Sequence, residues 1–328
     1  MHSPPLPQHP FEIIRDDAAL PPQLAQPVIA IGNFDGVHRG HQAVIMAAVS
    51  RARTLGRPAL ALTFEPHPRR FFRPDMPMFR LSDPAMKLRL LSSMGLDGAI
   101  VRTFDAGFAA VPAGKFVEQA MVGKYDVSGL SVGFDFHFGK GREGSPQFLL
   151  GEGQRRGFPV EIVPQLEVEG RPVSSSVIRT ALEQGQVVEA AALLGRLWSV
   201  SGDVLHGEKR GRDLGFPTAN MRLDPDCGLK QGIYAVRAAV DGRPFEGVAS
   251  FGRRPTFDNG APLLETYLFD FAGDLYGRTL DVAFAGWIRP ELKFDSAEAL
   301  VARMHEDARL ARQALARAEA FVPPPLLS

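Results

Sequence analysis

The sequence predicts an α/β plus β protein, in which a parallel sheet with helices on both faces precedes an antiparallel barrel or sandwich. Three observations predict this. The 328 residues are enough for roughly two domains of about 100–200 residues each. Strand-like apolar runs alternate with helical patterns between residues 28 and 164, as in parallel sheets. From residue 186, short strands separated by Gly, Pro and Asp are typical of antiparallel barrels.

Apolar runs bounded by turn residues predict the elements of the first half. Short continuous apolar runs are typical of buried strands, and longer amphipathic runs are typical of helices. One helix has a candidate N-cap at Ser82 or Asp83 and a proline, Pro84, in its first turn. The predicted elements are strands at 28–34, 58–64, 98–104, 129–134 and 158–163 and helices at 41–55, 82–91, 113–122 and 146–156.

The change of pattern near residue 186 predicts a domain boundary. We expect a tail and lead-in over 1–24, a first domain over 25–185 and a second over 186–328. The closing helix has Asp295 and Glu298 at capping-box spacing. Its predicted apolar face consists of Leu300, Met304, Leu310 and Leu315. The predicted elements are helices at 186–195 and 296–320 and strands at 198–205, 232–240, 245–251, 263–271 and 279–284.

The composition excludes several classes of protein. Lys plus Arg and Asp plus Glu both number 37, whereas nucleic-acid-binding domains usually show a basic excess, so we expect no nucleic-acid partner. The single cysteine, Cys227, excludes an intrachain disulfide framework and a cysteine-based zinc site. The N-terminus lacks the basic and apolar regions of a signal peptide, and no apolar run reaches the ~18 residues of a membrane span. We expect a cytoplasmic protein without membrane contact, and weak self-association is left open.

A glycine-rich turn with two histidines, GNFDGVHRGH at residues 32–41, follows the first strand. Glycines allow positive φ and close approach of backbone N–H groups to a ligand. The N-terminus of the following helix favours an anion. His38 and His41 are therefore candidates for phosphate chemistry; two solvent-exposed loop histidines are the alternative, and zinc is less favoured because no further ligand frame is present. The candidate phosphate-binding residues of this turn are Gly32, Phe34, Asp35, Gly36 and Gly40.

The turn resembles the signature of the HxGH-type nucleotidyltransferases, specifically the FMN adenylyltransferase module of bifunctional riboflavin kinase/FAD synthetases. The resemblance implies a doubly wound, Rossmann-like domain. It also implies that His38 and His41 stabilise the pentacoordinate transition state at the α-phosphorus of ATP. No covalent intermediate is expected, because positioning and electrostatics provide the catalysis.

Two later segments are similar to further elements of this family. TFEPHP at 63–68 ends the second strand, and VGFDFHFGKGREG at 132–144 follows a later one. The resemblance implies flavin-binding roles for His67, Asp135 and Phe136. The second segment is not a Walker A loop, because its glycine spacing differs and Gly141 stands where Ser or Thr is needed. A proline-stiffened loop is the alternative for TFEPHP.

The segment VSSSVIR at 173–179 resembles the serine-rich phosphate loop of the same family. Its candidate phosphate-binding residues are Ser174, Ser175, Ser176 and Arg179. An ordinary helix N-cap is the alternative for the serines. The family usually has a threonine and a basic residue before Ile-Arg, where this chain has Ser176 and Val177. This departure concerns the number of cationic groups that hold the leaving pyrophosphate.

The second half contains a further candidate phosphate site in the segment SGDVLHGEKRGRDLGFPTAN at 201–220. Thr218 and Asn220 are two residues apart in an extended segment and offer two neutral oxygens, which suit Mg²⁺ when phosphates complete its shell. A turn rich in Gly, Pro and Asn is the alternative. GRDLGFPTAN resembles the signature of riboflavin kinase, which implies a six-stranded antiparallel barrel. The candidate nucleotide-binding residues are Gly207, Arg210, Gly215 and Pro217.

Glu265 is the candidate catalytic base of the second half. Leu263, Tyr267 and Phe269 lie on the same strand face, and apolar surroundings are expected to raise the pKa of the Glu265 carboxyl. In the family this position takes the proton from the 5′-hydroxyl of riboflavin, which attacks the γ-phosphate of ATP. Arg289 is a candidate flavin-loop or surface residue, with Arg253, Arg254 and Lys293 as lesser candidates.

Together the two resemblances imply a bifunctional flavin-cofactor enzyme. The second domain is expected to phosphorylate riboflavin to FMN, and the first to transfer AMP from ATP to FMN, which gives FAD and pyrophosphate. The implied substrates are riboflavin, FMN and ATP, with Mg²⁺ as cofactor. Two alternatives remain: a riboflavin kinase with a structural N-terminal domain, and a flavin-binding regulator without turnover.

Overall fold

The computed structural model describes residues 7–16, 18–206, 214–253, 262–325 and 327. These residues form two compact units. The first unit is drawn from residues 1–78, 83–173 and 324–328, and the second from residues 79–82 and 174–323. The predicted domain boundary lies between residues 185 and 186, whereas the two units meet along the chain between residues 173 and 174. The predicted boundary of the catalytic domains stays a prediction.

The first unit contains a six-stranded sheet in which every neighbouring pair is parallel, as the sequence predicts. The strand order is β1-β4-β3-β2-β5-β6. The edge strand β1 was not predicted, because it is a short segment, EIIR, with polar ends. The strands are β1 (Glu12–Arg15), β2 (Val28–Ile31), β3 (Ala59–Glu65), β4 (Gly98–Thr103), β5 (Gly129–Gly133) and β6 (Val160–Val163).

Both faces of this sheet are buried, which explains its nearly continuous apolar strands. Successive side chains of a strand point to opposite faces. Accordingly, Ile29 and Ile31 of β2 belong to one core cluster, and Val28 and Ala30 belong to another. Helices are therefore needed on both sides, and the strand ends are the parts of the sheet left for loops.

The helices of the first unit agree with the predicted positions, with two differences. The predicted helix at 113–122 is an α-helical turn continued by a π-helical stretch over Phe116–Lys124. The short helices α2 (Pro68–Phe72) and α4 (Ala106–Ala109) were not predicted. The helices are α1 (Arg39–Leu55), α2 (Pro68–Phe72), α3 (Pro84–Ser92), α4 (Ala106–Ala109), α5 (Ala113–Lys115) and α6 (Pro146–Arg156). Short 3-10 turns at Pro22–Leu24 and Lys140–Arg142 and a hairpin of β7 (Glu167–Val168) and β8 (Arg171–Pro172) complete the unit.

The second unit contains a six-stranded antiparallel sheet in the order β10-β13-β12-β11-β14-β9, preceded by two helices. A bridge between Leu205 and Asn220 brings the segment after β9 against the opposite edge strand, β10, so the sheet is partly closed into a barrel. The predicted antiparallel architecture is confirmed. The elements are α7 (Ser175–Glu183), α8 (Val187–Leu194), β9 (Trp198–Asp203), β10 (Ala219–Arg222), β11 (Gly232–Val240), β12 (Arg243–Arg253), β13 (Pro262–Leu268) and β14 (Thr279–Arg289).

The closing helix α9 (Ala297–Leu315) packs on this sheet, but its cap and its buried face differ from the prediction. The N-cap is Ser296, whose hydroxyl accepts the Ala299 N–H, so the capping box that begins at Asp295 was wrong by one residue. The buried positions are Asp307, Ala311 and Leu315, whereas the other three predicted apolar residues are half-buried. Ala311 and Leu315 belong to the apolar cluster that joins this helix to the sheet.

The long helices of both units are amphipathic. The 17-residue α1 and the 19-residue α9 each carry several arginines along their length. Within the described ranges, no helix combines the length and the apolar character needed to cross a bilayer.

Candidate active sites

The histidine turn joins β2 to α1 at the carboxyl end of the parallel sheet, where ligands bind in folds of this type. The helix begins at Arg39, two residues before the predicted start, because His38 is its N-cap. The Nδ1 atom of His38 accepts the backbone N–H of His41 at 3.2 Å. An accepting Nδ1 places the ring proton of a neutral imidazole on Nε2. His38 therefore has a fixed ring orientation and an Nε2–H donor.

The two imidazoles form one stacked unit supported by Phe34. The rings of His38 and His41 lie 3.6 Å apart between centroids and 15° from parallel. Phe34 contacts His41 edge-to-face at 5.4 Å. The Phe34 side chain is buried, so its predicted phosphate contact is restricted to its backbone. Asp35 is buried as well. The turn is thus a rigid holder of two imidazoles and not a pair of freely exposed side chains.

The three glycines of the turn serve two different purposes. Gly36 adopts a φ of 79°, as expected. Gly32 and Gly40 do not use the positive φ that glycine allows, and they are required by space. A Cβ on Gly32 would lie 2.9 Å from the Phe34 ring, and a Cβ on Gly40 would lie 3.2 Å from the His38 ring. These two glycines let the aromatic rings pack directly against the backbone.

The predicted flavin-binding residues of the first unit follow the strands on either side of β2. His67 follows β3 and is the N-cap of α2, accepting the Arg69 N–H at 3.1 Å. Asp135 and Phe136 follow β5. Because the strand order is β3-β2-β5, these segments flank the histidine turn at the carboxyl ends of the strands.

The serine-rich segment belongs to the second unit. Ser174 is the N-cap of α7 and accepts the Val177 N–H at 3.3 Å, which agrees with the N-cap alternative for this residue. Ser175 and Ser176 lie in the first turn of the helix. Arg179 donates from Nε to the carbonyl oxygen of Phe79 at 2.6 Å. Phosphate binding by this segment stays a prediction.

The PTAN segment of the second unit enters β10 through a buried anchor. Phe216 packs edge-to-face against Tyr267 at 5.0 Å and against His305 at 4.9 Å. This anchor follows Gly215, which has a φ of 82°, and precedes Pro217, which is exposed. Packing on both β13 and α9 fixes the direction in which the segment enters the strand. Gly207 and Arg210 lie outside the described residues.

Strand pairing aligns the metal-ligand candidate with the candidate base. Asn220 of β10 is directly opposite Glu265 of β13, and Glu265 is directly opposite Ser250 of β12. Residues opposite each other in antiparallel strands share one face, with Cβ atoms ~4.5–5.5 Å apart. The Nδ2 atom of Asn220 donates to the Thr218 carbonyl oxygen at 3.4 Å, which turns Oδ1 away from that carbonyl. Three polar side chains thus form a row across the sheet.

This row corrects the expected surroundings of Glu265. Leu263 and Tyr267 are its neighbours along the strand, as predicted, but its cross-strand neighbours are polar. The strand face is therefore apolar only along β13, which ends at Leu268 before the third predicted neighbour, Phe269. The position of Ser250 opposite Glu265 was not predicted, because cross-strand register is not visible in a single sequence. The segment VASFG at 248–252 indicates only that Ser250 lies in a strand.

Arg289 is buried and is not a surface residue, and its flavin-binding role stays a prediction. It is 8% exposed and forms two hydrogen bonds with Asp307 of α9, from Nε at 2.8 Å and from Nη2 at 2.5 Å. Arg253 donates to the carbonyl oxygens of Pro225 and Cys227. Lys293 is exposed, and Arg254 lies outside the described residues. The side chain of Arg289 thus joins β14 to α9.

Two family models match the chain, one for each half. A model described as FAD synthetase matches residues 20–177, and a model described as riboflavin kinase matches residues 194–315. The histidine turn lies in the first match, and the Asn220–Glu265–Ser250 row lies in the second. The two candidate sites therefore lie in the matches to two different families.

Similar proteins match nearly the whole chain. A bifunctional riboflavin kinase/FMN adenylyltransferase from Pseudomonas fluorescens is 41% identical over 303 residues, covering 92% of this chain and 97% of that relative. The Escherichia coli protein of the same name is 39% identical over 287 residues, covering 87% and 92%. A crystal structure titled macrolide-efflux protein from Streptococcus pneumoniae has a TM-score of 0.82 at 31% identity, covering 92% of this chain and 98% of that one. This chain belongs to the family of bifunctional riboflavin kinase/FMN adenylyltransferases.

Proposed function

We propose that the chain converts riboflavin to FMN in its second unit and FMN to FAD in its first unit, with ATP as the donor in both reactions. The assignment of residues rests on two independent groups of polar side chains. One is the stacked His38–His41 pair at the N-terminus of α1, and the other is the row of Asn220, Glu265 and Ser250.

In the kinase reaction, Glu265 takes the proton of the riboflavin 5′-hydroxyl as that oxygen attacks the γ-phosphorus of ATP. The O–H bond and the bond from the γ-phosphorus to ADP break, and the new P–O bond gives FMN. A general base of this kind contributes about 10²–10⁴-fold to the rate. The half-buried position of Glu265, directly opposite the metal-ligand candidate Asn220, supports this role.

Mg²⁺ is the proposed metal of the kinase site. The Thr218 hydroxyl and the Asn220 amide oxygen are hard oxygen donors, which Mg²⁺ prefers, and phosphates and waters usually complete its shell. Among the described residues, no group of three or more His, Cys, Asp and Glu is placed to hold a metal ion. These oxygen donors therefore fit a metal ion whose remaining ligands are oxygens of bound phosphates and water. When bound, Mg²⁺ neutralises charge on the phosphates.

In the adenylyl transfer, a phosphate oxygen of FMN attacks the α-phosphorus of ATP, and pyrophosphate leaves. His38 donates from Nε2, and His41 lies stacked beside it, so both imidazoles are in place to stabilise charge on the α-phosphate oxygens. The N-terminus of α1 adds its positive dipole end. Removing one such preorganised donor typically costs about 10²–10³-fold in kcat.

A phenylalanine cluster at the carboxyl ends of β3 and β4 supports the flavin assignment. Phe71 and Phe72 of α2 and Phe64 at the end of β3 all pack on Phe104, within 6.0 Å between ring centroids. Phe72 is 64% exposed, so the cluster offers aromatic surface to a ligand. We propose that the isoalloxazine ring of FMN packs on this surface, near His67. The use of ATP in both reactions also supports a cytoplasmic location.

Product analysis tests this function directly. Purified protein is incubated with riboflavin, ATP and Mg²⁺, and the flavins are separated by chromatography. We expect FMN first and FAD later. FMN without FAD would identify a riboflavin kinase with a structural first unit, and bound flavin without either product would identify a non-catalytic flavin binder.

A further inference from the structure

Lys87 of α3 is a buried cation among apolar side chains and one further buried cation, Arg89. The segment runs MKLRLL over residues 86–91, and the Lys87 side chain is 2% exposed. Burial of an ammonium group is costly unless charge and hydrogen-bond partners compensate. Its partners therefore indicate what the fold gains from keeping it.

The ammonium group of Lys87 joins two loops. Its Nζ lies 2.5 Å from Glu65 Oε1 and 3.2 Å from both Thr63 Oγ1 and the Phe64 carbonyl oxygen, all at the end of β3. It also lies 3.5 Å from the carbonyl oxygen of Asn33, the second residue of the histidine turn. The Thr63 hydroxyl donates to the same Asn33 oxygen at 3.1 Å. One buried cation and one hydroxyl thus hold the ends of β2 and β3 together.

We propose that Lys87 is a positioning residue for the adenylyl transfer, because it fixes the turn that carries His38 and His41 relative to the Thr63–His67 segment. The inference rests on the proposed role of the two histidines. A misplacement of about 1 Å of groups in such a site can cost about 10²-fold in rate. Lys87 needs no contact with substrate for this role, since it acts through the carbonyl oxygen of Asn33.

A second buried ion pair in the same unit provides the control. Asp97 is fully buried, accepts the Ala59 N–H at 2.8 Å and pairs with Arg53 at 3.1 Å. It directly precedes β4, and Ala59 begins β3, so this pair lies at the amino ends of the strands, opposite the histidine turn. A purely structural ion pair is expected to support stability alone.

The test compares the double variant Lys87→Met/Glu65→Gln with Asp97→Asn. The double change removes both charges, so no unpaired charge is left buried, and it also removes the ammonium donor to the Phe64 and Asn33 carbonyl oxygens. We expect kcat for FMN adenylylation to fall about 10²-fold, KM for ATP to stay within about threefold, and riboflavin phosphorylation by the same chain to stay unchanged. Asp97→Asn is expected to lower the melting temperature while folded protein keeps its kcat.

Equal losses of kcat in the two variants, or a double variant that keeps its kcat within about threefold, would overturn the proposal. If the double variant does not fold, Thr63→Val removes only the hydroxyl that bridges to Asn33, and it should lower kcat for the same step about tenfold without changing KM; an unchanged kcat there would contradict the proposal. Wild-type protein that makes no FAD would instead contradict the proposed function.

Discussion

The imidazole Nδ1 of His38 accepts the backbone N–H of His41 at 3.2 Å, so one candidate catalytic histidine orients the other. The same hydrogen bond caps α1 and fixes the ring that stacks on His41. His38 therefore combines a structural role, as the N-cap of α1, with a proposed chemical role, as an Nε2–H donor. An informative variant must remove one role and keep the other.

His38→Asn separates the two roles. Asparagine is a good N-cap, so the fold should be kept, whereas the Nε2–H donor is lost. We expect kcat for FAD formation from FMN to fall about 10²–10³-fold with a melting temperature near that of wild type. His38→Ala should lose the same activity and in addition ~1 kcal/mol of stability, because the cap is lost. Steady-state kinetics with thermal unfolding checks both variants; normal FAD synthesis by His38→Asn would refute the chemical role.

Gly40→Ala tests the packing of the His38 ring. The added Cβ would lie 3.2 Å from that ring, so the imidazole must shift. We expect a reduced rate of FAD synthesis, about tenfold, while riboflavin phosphorylation is unchanged. Gly151→Ala in α6 is the matched control, since its Cβ would meet open space. There, activity should be kept and stability should rise by about 0.5–1 kcal/mol, because alanine favours helices.

Asp307→Ala tests the structural interpretation of Arg289. The change leaves Arg289 buried without its bidentate partner, and breaking a buried ion pair in this way typically costs about 3–5 kcal/mol. Chemical denaturation should show the loss. Glu306→Gln removes the exposed partner of Arg309 on the same helix and should have little effect. An equally mild effect of both changes would show that the Arg289–Asp307 pair does not stabilise α9 on the sheet.

Cys227 gives a probe of the folded second unit. Burial raises the pKa of its thiol to about 11, so the thiol should react slowly with Ellman's reagent at pH 8 in the native protein. Unfolding should release one reactive thiol per chain, because the sequence has a single cysteine. The pKa of the thiol is higher in the folded state than in the unfolded state. Its contribution to the free energy of unfolding therefore keeps its full value below the pKa of the unfolded thiol and falls as the pH rises toward 11. Rapid reaction of the native protein at pH 8 would contradict the burial.

The sequence predicted the elements of the fold because hydrophobic period and turn residues are local signals. It placed β11 and α6 at their observed bounds and assigned the parallel and antiparallel sheets to the correct halves. It also named His38, His41 and Glu265 as candidates, because these residues lie within short motifs, and their catalytic roles stay predictions.

The remaining features depend on tertiary packing. Ser250 lies opposite Glu265 only through strand register, and Gly40 is needed for the space beside a ring rather than for its φ. The role of Lys87 is likewise set by loops that its own helix does not contain. In the sequence, Lys87 is visible only as a charged residue within MKLRLL. This pattern does not identify the residues that its side chain contacts.

In the proposed function, two separate sites, one in each unit, carry the two reactions. The most direct measurement gives Glu265→Gln and His41→Ala each of the two flavin substrates with ATP and Mg²⁺, and quantifies FMN and FAD by chromatography. Glu265→Gln should lose FMN formation from riboflavin by about 10²–10⁴-fold and still convert FMN to FAD. His41→Ala should still form FMN from riboflavin and fail to form FAD. Loss of both reactions in either variant, or loss of neither, would contradict the account.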